Sequence, residues 1–155
     1  MRSDIFFSHN PFADLVEVRP SSYHGWGVFA KVFLPAGTAW WQARPQDALI
    51  IEQSQYETLS ASAQTPLTTQ LLEAILTFSY YPADLKQLVL ILDGGRFANH
   101  SYTPNSVDNP SKLQSVALRD INAGEEIVED YSRFGECPWA PLYGEFGTTI
   151  WRRNK

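Results

Sequence analysis

The sequence predicts a mostly β domain with one short helical insertion, and two patterns carry that prediction. Short runs rich in Val, Phe, Leu and Ile recur along the chain, each closed by a Gly, Pro, Asn or Ser cluster that favours turns. Between about residues 54 and 82 the apolar spacing changes to the period of a helix. The length agrees with such a domain: 155 residues suit a single core, since a chain of ~150 residues buries roughly 70% of its unfolded surface. With 44% hydrophobic, 14% aromatic and 19% charged positions, a disordered or low-complexity chain is excluded.

Taken in order, residues 1–14 lack periodicity and are expected to form an N-terminal arm. Residues 15–18 alternate as a strand and stop at the turn cluster Arg19-Pro20-Ser21-Ser22. A second strand is expected over 28–34, closed by Pro35-Ala36-Gly37, with two more over 38–42 and 48–52. Ser54-Gln55-Tyr56-Glu57 has capping-box spacing and opens a short helix. Thr65-Pro66 then supplies an N-cap residue and an N1 proline. Leu67, Leu71, Ile75 and Phe78 follow at i, i+4, i+8 and i+11, one stripe of a helix that Pro82 ends. Strands return over 88–92, 113–118 and 126–131, and Asn122-Ala123-Gly124 is expected to join the last two as a hairpin. The aromatic tail, 136–155, with Trp139, Tyr143, Phe146 and Trp151, is expected to pack onto the body.

Composition narrows the function classes. The single Cys137 excludes an intramolecular disulfide and a cysteine-rich zinc site, and His9, His24 and His100 are too scattered to suggest a His-built metal site. No apolar run approaches the ~20 residues of a membrane span, and the opening MRSDIFFSHNPF does not read as a signal peptide. The expectation is a soluble, cytoplasmic protein, with delivery to a host cell left open. Net charge is −5. Arg152, Arg153 and Lys155 stand in the last five positions; without them nine basic residues face seventeen acidic ones, a net −8. Such a body repels phosphate backbones, which disfavours nucleic acid and favours a basic protein or peptide partner.

Three segments carry chemistry. Gly25-Trp26-Gly27-Val28-Phe29-Ala30 formally matches a dinucleotide-binding fingerprint. Its context does not, because Val28, Phe29, Val32 and Phe33 favour a strand where the fingerprint needs a helix. What remains is a pair of glycines that lets backbone approach something closely. The second segment, Arg96-Phe97-Ala98-Asn99-His100-Ser101-Tyr102-Thr103-Pro104-Asn105, is dense in hydrogen-bonding groups. The third is Gly124-Glu125-Glu126-Ile127-Val128-Glu129-Asp130-Tyr131. Alone, each also reads as a turn or a solvated hairpin face.

In order and spacing, these three segments resemble those of the SET-domain protein lysine methyltransferases, over roughly residues 15–135. The resemblance implies a β-clip fold with a C-terminal pseudoknot and a role as a methyltransferase that uses S-adenosylmethionine to methylate a lysine of a basic protein. It implies that His24, Gly25, Trp26 and Gly27 line the cofactor, with Arg96, Asn99, His100 and Phe134 also binding it. Tyr131 would be the catalytic tyrosine, and Tyr80, Tyr81, Tyr102 and Trp139 would be candidates for the substrate channel. The physics suits these parts. The attacking amine must be neutral although free lysine has a pKa of ~10.4, and an apolar channel ending at a sulfonium lowers that value by desolvation and like charge. No metal is required.

The chain departs from many relatives in lacking zinc-binding cysteines around the domain, and Tyr102 follows Asn-His-Ser where relatives often have Cys. A different way of closing the site is therefore expected, with Phe134, Trp139 or Tyr143 covering it. The acidic run Glu125, Glu126, Glu129, Asp130 and Glu136 could draw in a basic peptide or simply form an exposed face. A catalytically silent SET-like module that binds S-adenosylmethionine or a peptide is the alternative function.

Overall fold

The computed structural model describes residues 3–141. Tyr143, Phe146 and Trp151 of the expected tail lie outside the described residues. The chain runs through a 3-10 turn (Ser3–Ile5), α1 (Phe12–Leu15), β1 (Val16–Pro20), β2 (Trp26–Ala30), β3 (Ala39–Gln42), β4 (Ala48–Ile51), α2 (Gln53–Ser62) and α3 (Pro66–Thr77). It continues through β5 (Ser79–Tyr80), β6 (Leu88–Ile91), a 3-10 turn (Gly94–Phe97), β7 (Asn99–His100), β8 (Ser106–Asp108), β9 (Gln114–Ala117), β10 (Glu126–Glu129) and a last 3-10 turn (Tyr131–Arg133). The fold is mostly β, as the sequence predicts. One sheet has the order β1-β2-β10-β8-β9-β3, with β7 also paired to β10; a second has the order β4-β6-β5. No helix among the described residues is long and apolar enough to cross a membrane.

The main apolar cluster draws on both sheets and includes Val16, Val28, Trp40, Trp41, Val89, Leu113, Ile121 and Ile127. The N-terminal segment is bonded into it. Ile5 is 2% exposed, its carbonyl accepts from Leu113 N–H, and Phe7 N–H donates to Ala43 O. Asn10 Nδ2 adds bonds to Asp93 (2.8 Å) and Asp47 (3.1 Å). A second cluster, with Ile51, Tyr56, Leu72, Leu76, Tyr81 and Leu88, fills the space between the helices and the small sheet.

Several elements differ from expectation for identifiable reasons. β2 starts at Trp26 and ends at Ala30. Beyond it, Lys31 N–H turns to Leu15 O and Leu34 pairs with Ile121, so Val32 and Phe33 point outward. α2 begins two residues earlier than its expected box, because β4 runs straight into it: Glu52 is the N-cap and its N–H donates to Gln55 Oε1 at 2.8 Å. α3 starts where expected, with Thr68 N–H donating to Thr65 Oγ1, but it buries Leu72 and Leu76 while Leu67 and Leu71 stay exposed. The C-terminal half of α3 seals the second cluster, which selects a neighbouring stripe. The helix ends at Thr77, ahead of β5, and Pro82 lies beyond that strand.

The expected hairpin between the last two strands is absent. β9 pairs with β3 and β8, whereas β10 pairs with β2, β7 and β8. The intervening segment is already engaged elsewhere: Gly124 N–H donates to Ala30 O, and Glu125 O accepts from Ala30 N–H.

Candidate active site

The site is organised by β10. Its first half pairs antiparallel with β2, and its second half runs parallel to both β7 and β8, with Glu129 in register with His100 and with Ser106. The five residues 101–105 that join β7 to β8 must therefore cross β10. Asn105 fastens the crossing: its N–H donates to Val128 O (3.2 Å), its Oδ1 accepts from Val128 N–H (2.9 Å), and its Nδ2 donates to Glu126 O (2.8 Å). At 1% exposure Asn105 is as buried as a core leucine, and its three bonds tie the crossing to the backbone of β10.

This crossing brings the three sequence segments together. The Asn99 amide donates to Trp26 O (2.9 Å), Glu126 Oε1 (3.0 Å) and His24 O (3.1 Å). Glu126 is held from its other side by Ser21 Oγ at 2.8 Å. Gly27 is needed for that approach, because a Cβ there would sit 2.2 Å from Glu126 Oε1. Gly25 adopts φ +49, turning the chain into β2. His24, Gly25, Trp26 and Gly27 thus gather around Asn99, forming a rim of carbonyl and carboxylate oxygens with the half-exposed Trp26 ring beside it. A rim of this composition suits a cationic group with an aromatic portion.

His100 links this rim to Tyr131. Its Nδ1 accepts from Tyr131 N–H at 3.0 Å, and the ring centroids of the two side chains lie 5.3 Å apart. The same Nδ1 stands 3.9 Å from Asp130 Oδ1. Burial works against ionisation of Asp130, but hydrogen bonds from Ser132, together with nearby His100 and Arg133, hold the carboxyl below its usual range. Tyr102, expected at the channel, is exposed and stands edge-on to His100 at 4.6 Å.

Tyr131 opens onto a cleft of about 550 Å³, counting its open mouth. Its hydroxyl donates to Ala98 O. Trp40, Trp41, Phe78, Tyr80 and Phe134 supply the aromatic walls; Arg96 lies along the edge, and Asp108, Ser115 and Glu129 form a polar patch within. Phe134 bridges the walls, 5.4 Å from the Tyr80 ring and 5.7 Å from the Tyr131 ring. Of the expected site residues, Tyr131, Arg96, Phe134 and Tyr80 line this cleft. Tyr81 and Trp139 belong to the second apolar cluster, where Trp139 packs against Tyr56 at 5.9 Å.

Sequence reasoning missed the polar patch and the Trp40-Trp41 wall. It grouped Glu129 with an acidic run able to face a basic peptide, but that run is not one face. Glu125 pairs with Arg119, Glu126 is bonded to Ser21 and Asn99, and Asp130 caps the last 3-10 turn. Glu129 is 6% exposed. It accepts from Ser106 Oγ at 2.9 Å, and Ser106 Oγ accepts in turn from Trp40 Nε1 at 2.7 Å. Burial pushes the Glu129 carboxyl up to about 7, Asp108 adds to the rise, and the bonds from Ser115 and Ser106 restrain it. Burial also raises Asp108. The available signal was the position of Glu129 two residues after Ile127, on the same face of the strand. Among the described residues no group of His, Cys, Asp or Glu could hold a metal ion.

A family model described as the SET domain matches residues 25–132. Comparison with curated proteins returns no match. Among solved structures, a candidate histone methyltransferase of Plasmodium falciparum is similar over 81% of this chain and 96% of its own, with 20% identity and a TM-score of 0.46. A humanized mutant of the Chaetomium thermophilum Polycomb Repressive Complex 2, bound to an inhibitor, is similar over 79% of this chain at 15% identity, with a TM-score of 0.52. This chain spans 16% of that polypeptide.

Proposed function

The chain belongs to the SET-domain family, and we propose that it is a protein lysine N-methyltransferase that uses S-adenosylmethionine and acts on a basic protein. One observation carries the reading: the crossing at β10 joins the Asn99 rim, through His100, to Tyr131 and an aromatic cleft. A cofactor on one part and a lysine in the other would meet at Tyr131. S-adenosylmethionine, when bound, supplies a methyl group on a positively charged sulfur.

The chain's own residues do the rest. Asn99, through the His24 and Trp26 carbonyls, fixes the rim that would hold the cofactor. The Tyr131 backbone is pinned by His100 and its hydroxyl by Ala98, so its ring does not have to be ordered on substrate arrival. The aromatic walls of the cleft strip water from a lysine side chain, and that desolvation by itself favours the neutral amine over the ammonium. The acidic body, net −5, attracts a basic protein.

The test is incubation of the purified protein with methyl-labelled S-adenosylmethionine, a cell extract and a histone mixture, beside Tyr131→Phe. Label on a discrete protein, lost or strongly reduced in the variant, supports the reading. Absence of label from the unaltered protein, with S-adenosylmethionine bound in calorimetry, replaces it with a silent binding module.

A further inference from the structure

A buried acidic group on the wall of a cleft rich in aromatic side chains needs a reason. β10 places Ile127 and Val128 in the core, and a third apolar residue would continue the strand without desolvating a carboxylate. Instead Glu129 stands there, two residues before Tyr131 and on the wall of the same cleft. Trp40 and Ser106 form a hydrogen-bonded chain that holds it in place. Asp108, from β8, lines the same patch, so two acids share a cleft walled by Trp40, Trp41 and Tyr80. A cation entering there relieves their repulsion and faces aromatic rings.

We propose that Glu129 is the carboxylate that receives the substrate lysine, accepting a hydrogen bond from its ammonium and taking its proton beside Tyr131. The inference rests on the methyltransferase reading above. In the step, an N–H bond of the ammonium breaks and an O–H bond forms on Glu129. Both charges disappear, the amine keeps its lone pair as nucleophile, and the carboxyl returns the proton to water after the product leaves. The site is tuned for this exchange. Burial raises Glu129 to about 7 in the free protein and desolvation lowers the lysine, and together these offset part of the ion-pair attraction that would keep the proton on nitrogen.

The charged and titratable groups facing Glu129 are Asp108 on β8 and Tyr80, Tyr131 and Arg96 around the cleft; Ser106 and Ser115 hydrogen-bond it, and Arg133 acts on Asp108. Asp108 favours the protonated carboxyl and the serines oppose it. Removing Ser106 therefore has a defined direction.

The experiment uses the full chain, Glu129→Gln and Ser106→Ala, with labelled S-adenosylmethionine and a histone mixture across pH 5.5–9. Gln keeps an oxygen to accept from Ser106 but has no charge. Expected for the unaltered protein is a kcat/KM that rises through a limb near pH 7. Glu129→Gln should lose that limb and fall at least about tenfold at pH 8, with S-adenosylmethionine affinity unchanged in calorimetry. Ser106→Ala should keep the limb, displaced upward. A Glu129→Gln enzyme with the full rate and the same limb overturns the proposal; should that variant not fold, an undisplaced limb in Ser106→Ala does so. If the unaltered protein labels nothing, the methyltransferase reading fails by itself. Quenching of tryptophan fluorescence by poly-lysine at pH 8 then decides: binding at least about tenfold weaker in Glu129→Gln, as loss of a desolvated charge contact requires, supports the carboxylate–ammonium contact, and equal binding overturns it.

Discussion

Replacing Asn105 by alanine should unfasten the crossing on which the site depends. The side chain is 1% exposed and makes two short bonds to β10, from Val128 N–H at 2.9 Å and to Glu126 O at 2.8 Å. Truncation removes the side-chain partner of the buried Val128 N–H and of the part-buried Glu126 carbonyl. Each orphaned group costs about 1–3 kcal/mol, giving a loss of about 4 kcal/mol once the vacated volume is included. For a domain of this size that lowers the thermal midpoint by roughly 8–16 °C. Urea unfolding followed by tryptophan fluorescence is the assay, with a reduced midpoint and an unchanged slope as the expected pattern. Asn105→Asp keeps the acceptor for Val128 N–H but turns a carboxylate toward Glu126 O, so it should be destabilised as well. A loss below about 1 kcal/mol in Asn105→Ala would refute the reasoning, because it would mean β10 is held without these bonds.

Further outcomes follow from the same geometry. Glu129, whose carboxyl is raised from 4.5 to about 7, binds its proton more tightly in the folded chain. Its contribution to stability is therefore complete below pH 4.5 and is lost as pH rises to about 7, by up to about 3 kcal/mol. Glu129→Gln should remove that decline between pH 5 and 8, as read from urea midpoints; parallel profiles would contradict it. Gly27→Ala should cost about 2 kcal/mol, since its Cβ lands 2.2 Å from the Glu126 carboxylate that Ser21 and Asn99 hold. Gly25→Ala has open space around it and carries only the strain of φ +49, about 1 kcal/mol. Calorimetry should show S-adenosylmethionine binding weakened in the first and nearly retained in the second. Tyr131→Phe should reduce turnover without weakening S-adenosylmethionine binding, because its contacts to the rim run through its backbone N–H to His100; single-turnover rates separate the two effects.

What the sequence alone determined is local. Strands over 39–42, 48–51 and 88–91 follow from short β-branched and aromatic runs bounded by turn residues. The start of α3 follows from Thr65-Pro66, whose capping geometry needs only its own turn. The three motif segments are legible for the same reason, each being a contiguous run of residue types. Tertiary structure decided the rest. Apolar spacing in α3 allowed two adjacent stripes, and only the position of the second cluster selected Leu72 and Leu76 over Leu67 and Leu71. Turn residues at 122–124 suggested a hairpin, but hydrogen bonds to Ala30 took that turn to β2 instead. Glu129 looked like one more surface acid because charge is a property of the residue, whereas burial is a property of its neighbours. Once β10 is inserted between β7 and β8, Ser106 and Ser115 close over that carboxylate and the cleft acquires its polar patch. Pairing across twenty or more residues depends on which partners remain unclaimed when the chain folds, and no local pattern encodes that competition.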